Sequence, residues 1–123
     1  MRKFIMLLVV FSFGAALHVH AQSLTNSNWK GYFGDPLNDS LTWHMKTDSS
    51  YVTMSSGQMI VSSKITVSKD TLTISDVDGQ HACPGMDGVY KYAIIDNVLT
   101  FTLVSDPCEG RNAITTIKWM KTQ

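Results

Sequence analysis

Residues 83–111 read CPGMDGVYKYAIIDNVLTFTLVSDPCEGR, two alternating stretches that meet at Asp96-Asn97 and carry the only two cysteines of the chain near their outer ends. Tyr90, Tyr92 and Ile94 alternate with Lys91 and Ala93, and Leu99, Phe101 and Leu103 alternate with Thr100 and Thr102, the period of half-buried strands. A two-residue loop at Asp96-Asn97 sets Tyr90 against Leu103, Tyr92 against Phe101, and Ile94 against Leu99. Every large apolar side chain then falls on one face, whereas a slip of one residue splits the two faces. Extending the ladder outward puts Cys83 opposite position 110 and Cys108 opposite position 85. The irregularities at Pro84-Gly85 and Gly88 can absorb that offset, which predicts a Cys83–Cys108 disulfide. No Cys-x-x-Cys accompanies it, so the bond reads as a structural clasp rather than a redox centre.

A disulfide needs an oxidising compartment, and the first residues fit one. Arg2-Lys3, an apolar run from Phe4 to Leu17 and Val19-His20-Ala21 have the form of a secretory signal at 1–21, cleaved near Ala21-Gln22. The run is short for a membrane span, so the expected product is secreted or periplasmic with no stable membrane anchor. No cysteine at the cleavage site offers a lipid attachment point. Arg2 and Lys3 are the only charged residues it removes, shifting the net charge from zero to −2. The remaining lysines are scattered, which argues against nucleic acid as a partner.

Past a Ser-, Thr- and Asn-rich stretch at 22–28, read as a flexible lead-in, residues 29–123 form one domain. Short alternating runs broken by turn residues recur with no sustained helical period. The expected strands are Trp29–Phe33, Leu41–Lys46, Tyr51–Met54, Gln58–Val67, Thr71–Val77, Gly88–Ile95, Val98–Val104 and Ala113–Lys121. Separators such as Gly34-Asp35-Pro36, Ser55-Ser56-Gly57 and Asp78-Gly79 are short, favouring consecutive antiparallel neighbours. The fold class is therefore all-β, an antiparallel up-and-down meander of about eight strands. It can close into a barrel or split into a sandwich.

With a signal, about eight antiparallel strands and a first strand opening Asn28-Trp29-Lys30-Gly31-Tyr32, the chain resembles the lipocalin-like, or calycin, families of small secreted barrels. Those families open with Gly-x-Trp; Trp29 fits the tryptophan, with Ser27 at the glycine position. The block Gly88-Val89-Tyr90-Lys91-Tyr92 with Asn97-Val98-Leu99-Thr100-Phe101 is similar to the Gly-x-Tyr and Leu-Thr-Phe hairpin of bacterial members. The resemblance implies a small closed barrel in which Trp29 seals one end beneath a basic residue, with Arg111, Lys118 and Lys121 as candidates. It also implies that Trp43, Met45, Tyr92 and Phe101 line an apolar interior.

Each candidate has a plainer reading. Trp43, Met45, Tyr92 and Phe101 equally make a filled core, since small eight-stranded barrels are often packed with their own side chains. The methionines suit an adaptable pocket or irregular packing, and their dispersal over separate strands gives no copper cluster. His44 alternates with Trp43 and Met45 and so faces solvent. His81 follows Asp76 and Asp78, a spacing that lacks the further oxygens of a calcium loop, so a solvated turn is expected there and no metal. Arg111, in Asp106-Pro107-Cys108-Glu109-Gly110-Arg111, either clamps an anionic group from an exposed loop or stacks over an aromatic such as Trp29. No Gly-x-Ser-x-Gly, His-Glu-x-x-His or phosphate loop is present, and neither enzymatic activity nor a cofactor is expected. The leading expectation is a non-enzymatic secreted protein that binds a small apolar or amphipathic ligand. The alternative is a protein–protein interaction module, such as an inhibitor of a lysozyme-type hydrolase, working through the Asp106–Arg111 loop.

Overall fold

The computed structural model describes residues 23–122. The expected signal at 1–21 and its cleavage site lie outside the described residues. Eight strands follow one another: β1 (Ser27–Phe33), β2 (Asp39–Met45), β3 (Ser49–Met54), β4 (Met59–Ser68), β5 (Thr71–Asp78), β6 (Asp87–Ile95), β7 (Val98–Ser105) and β8 (Trp119–Lys121). One short helix, α1 (Glu109–Thr115), precedes β8. Each strand pairs with its neighbour in sequence and β8 pairs with β1, closing an antiparallel barrel. Short connections and alternating strands make the meander, and closure leaves few sheet edges open.

The hairpin adopts the register read from its pattern, with Tyr90 opposite Leu103, Tyr92 opposite Phe101 and Ile94 opposite Leu99. Asp96 and Asn97 both take positive φ, 51° and 63°, as a tight two-residue turn demands. One detail departs from expectation: Leu103 is exposed. β8 reaches only Val98 and Leu99 of β7, so the outer half of β7 has no strand beside it on that side.

The first seven strands begin and end within about two residues of their expected limits, but the eighth does not. Ala113–Lys121 was expected to be continuous strand; it is instead the end of α1, a turn and three residues of β8. The β-branched run Ile114-Thr115-Thr116-Ile117 favours strand locally, and tertiary anchors override it. Cys108 at the helix start is tied to Cys83, and Asp106 Oδ1 accepts the Cys108 N–H at 2.9 Å. Arg111 and Thr115, four residues apart on one helix face, are both buried.

Inside the barrel, alternate residues of each strand meet: Trp29, Leu41, Trp43, Met45, Val52, Ile60, Ile65, Leu72, Ile74, Tyr90, Leu99, Phe101 and Trp119 form one cluster. The barrel has two unlike ends. At the floor, where β1 starts and the two-residue turns lie, the described part of the expected lead-in carries a buried residue. Leu24 is 1% exposed and belongs to the core. Ser27 Oγ donates to the Leu24 carbonyl at 2.6 Å, and Trp29 Nε1 donates to Ser27 Oγ at 2.9 Å. An apolar side chain in a polar stretch was enough to tuck that segment under the barrel. The mouth, at the other end, gathers the β1–β2, β3–β4 and β5–β6 loops with residues 106–118.

Candidate functional site at the barrel mouth

Along β5 the inward positions read Leu72, Ile74, Asp76, so the third places a carboxylate inside the barrel just below the mouth. A register shift at Ser62/Ser63 on β4 turns Ser63 toward it, and Ser63 Oγ donates to Asp76 Oδ1 at 2.8 Å. Cys83 N–H donates to the other oxygen at 2.8 Å, so the disulfide loop hangs on the same carboxylate. From the far side α1 delivers Arg111. Its Nε donates to Asp106 Oδ2 at 2.8 Å and its Nη2 to Asp106 Oδ1 at 2.7 Å, a two-point clamp. Nη2 also donates to the Met86 carbonyl at 2.5 Å. Nη1 lies 3.2 Å from Asp76 Oδ2 yet makes no hydrogen bond. The Tyr90 hydroxyl donates to Asp106 Oδ2.

The cluster is deeply enclosed: the side chains of Arg111, Asp76 and Asp106 are 6%, 1% and 0% exposed. One guanidinium faces two carboxylates, so the group carries a net negative charge. Burial alone would raise the Asp106 carboxyl, but hydrogen bonds from Arg111, Tyr90 and the Cys108 N–H hold it below the usual carboxylate range. Burial and the hydrogen bond to Asp106 push the Tyr90 hydroxyl well above an ordinary phenol. The ionised aspartate and the neutral tyrosine are therefore the stable pair. Gly88 on β6 is required by this packing, since a Cβ there would lie 2.5 Å from Asp106 Oδ2 and 3.0 Å from Arg111 Nε.

Two hollows adjoin the cluster. A small cavity of about 30 Å³ is bounded by Trp43, Val52, Val61, Ile74 and Ile114, with Ser63, Asp76, His81, Arg111 and Thr115 as its polar members. Above it an open groove of about 740 Å³ runs between the β1–β2 loop and α1, past Phe33, Pro36, Leu37, Met86, Pro107 and Ile114, with the Cys83–Cys108 bond in its wall. His81 and Ile114 border both spaces.

The residues expected to line an interior pocket are packed against one another. Trp43 contacts Phe101 at 5.4 Å and Trp119 at 5.3 Å between ring centroids. Met45 is buried. Tyr92 lies against Phe101 at 6.3 Å and its hydroxyl donates to the Lys69 carbonyl at 3.0 Å. Of the four, only Trp43 borders either mouth hollow. The Cys83–Cys108 bond is formed, with a Cα–Cα distance of 6.2 Å.

Arg111 is neither on an exposed loop nor over Trp29: its contacts are with Asp106, Asp76 and Met86, because the loop expected to present it folds into α1 and turns it inward. Lys118 and Lys121 are exposed. His44, expected to face solvent, is half-buried on the outer surface. It stacks on Tyr51 at 4.3 Å and its Nε2 is 3.0 Å from Thr53 Oγ1. Asp76, Asp106, Tyr90 and Ser63 were not foreseen as a group. The readable signal was Asp76 itself, an acidic residue on the inward parity of an otherwise apolar strand face.

Comparison with models of known protein families, with curated proteins and with solved structures finds no match.

Proposed function

We propose that this chain is a secreted, non-enzymatic binding protein of lipocalin-like type that holds a small apolar or amphipathic molecule at the barrel mouth. The observation that carries this reading is the groove of about 740 Å³ between the β1–β2 loop and α1, walled by Phe33, Leu37, Met86, Pro107 and Ile114. Its size and apolar lining suit a drug-sized ligand. The interior is filled by Trp29, Trp43, Trp119, Tyr90 and Phe101, which supports reading a site at the rim and not at the barrel centre. The closed eight-strand meander supports the calycin likeness, and the disulfide supports export to an oxidising compartment.

Native mass spectrometry of protein purified from its own host tests the reading. A co-purifying small molecule, displaced in a Leu37→Glu variant, is the expected result. Repeated recovery of bare protein that also fails to take up an apolar fluorescent probe, 1-anilinonaphthalene-8-sulfonate, in its folded state would sink it.

A further inference from the structure

The proposal here rests on the mouth-groove reading and concerns what the groove's occupant must carry. Arg111 Nη1 lies 3.2 Å from Asp76 Oδ2 on a side chain 6% exposed but makes no hydrogen bond, and Arg111 borders the small cavity. A donor left unsatisfied in a low-dielectric place is unfavourable, so the site favours any acceptor that can reach it. The groove lies next to this cavity, since His81 and Ile114 border both spaces.

Charge decides which acceptor. Arg111 is already matched by Asp106 and Asp76, leaving one negative charge in excess among buried groups. A carboxylate or phosphate brought to Nη1 would add a second, close to the Asp76 carboxylate and away from water. Volume decides it too. A cavity of about 30 Å³ admits a group of one or two water-sized units, and beside Arg111 its wall joins apolar Trp43, Val52, Val61, Ile74 and Ile114 to polar Ser63, Asp76, His81 and Thr115. The space has room for a single oxygen, and the apolar stem that carries it stays in the groove.

We infer that the occupant is an uncharged molecule bearing a carbonyl or hydroxyl, its apolar body in the groove and its oxygen passed between His81 and Ile114 to accept a hydrogen bond from Arg111 Nη1. Fatty acids and phosphorylated lipids are excluded as preferred ligands although their chains would suit the groove.

The test uses the intact disulfide-bonded protein and 2-octanone labelled with ¹³C at its carbonyl, with octanoate as the anionic counterpart. Affinity is read from tryptophan emission, since Trp43 borders the cavity. The ketone should bind at least tenfold more tightly than octanoate at pH 7. Its bound carbonyl should give one narrow infrared band, displaced from the hexane position toward that of a hydrogen-bonded carbonyl. In Ile114→Phe, whose larger ring crowds the border between groove and cavity, that band should be lost. Octanoate binding as tightly as the ketone overturns the inference. So does a bound carbonyl at the hexane position or with the broad envelope of free water; either leaves the groove reading standing. Failure of both probes to bind at millimolar concentration overturns the groove reading and this inference together.

Discussion

The floor and the mouth of this barrel solve the same problem, closing an end of a cylinder, with opposite materials. The floor is sealed by shape: Leu24 folds under the strands beside Trp29, and the links around it are hydrogen bonds between uncharged groups, among them the relay from Trp29 through Ser27 to the Leu24 carbonyl and the Asn26–Thr47 pair. Charge seals the mouth, where Arg111 ties α1 to Asp106 and lies against Asp76 of β5, with a disulfide above them. An apolar seal tolerates any side chain of similar volume, whereas a buried ion cluster tolerates only a full set of partners. The mouth is thus the end at which one loose donor and an adjoining hollow coexist, and it is where binding is proposed.

The largest expected break in that comparison comes from applying one kind of substitution to both ends. Arg111→Met roughly conserves volume but strands two buried carboxylates, and should lower unfolding free energy by about 3–5 kcal/mol. Leu24→Met at the floor should lower it by less than about 1.5 kcal/mol. Urea denaturation followed by tryptophan fluorescence measures both, and equal losses would mean that the ends do not differ in kind. Next, replacing both cysteines with serine should remove about 3 kcal/mol, the closure entropy of a loop spanning 25 residues. A melting temperature indifferent to reductant would assign the clasp no stabilising role. Gly88→Ala should follow, at about 1–3 kcal/mol, because its methyl group must displace Asp106 or Arg111. Near-native stability would show that the cluster yields more easily than its geometry implies.

The smallest effect is the pH response. Asp106 is held below the ordinary carboxylate range, as is half-buried Asp39, mainly by hydrogen bonds from the Ser55 side chain and backbone. Their contribution is complete above about pH 4, the unfolded value, and is lost as pH falls through the lower native values. Tyr90 is shifted upward, so its contribution is complete below about pH 10 and wanes above that. Urea midpoints should therefore decline at both extremes, and Tyr90→Phe should weaken the alkaline decline. An unchanged alkaline slope in that variant would place the titrating group elsewhere.

How much of this was legible before any coordinates differs along the chain. The β6–β7 register followed from Tyr90, Tyr92 and Ile94 against Leu99, Phe101 and Leu103, because alternation and a turn at Asp96-Asn97 are local properties, readable within one hairpin. The cysteine pairing came from the same ladder. The segment after Cys108 was misread because its β-branched residues speak for strand, while the contacts that make it helix come from Cys83, Met86, Asp76 and Asp106, far off or beyond the segment itself. Arg111 was noticed as specific chemistry, but its partners lie on different elements and no spacing along the chain connects Asp76 to Asp106.

The sequence by itself thus determined the all-β meander, its strand limits up to Ser105, the hairpin register and the pairing of the two cysteines, all consequences of periodicity and turn chemistry acting over a few residues. Only the tertiary structure decided that Leu24 closes the floor, that residues 109–115 are helical, that the interior is filled, and that Arg111 faces inward with one donor unsatisfied. Those outcomes depend on how burial and charge balance among residues brought together by barrel closure, and that balance exists only once the strands have met.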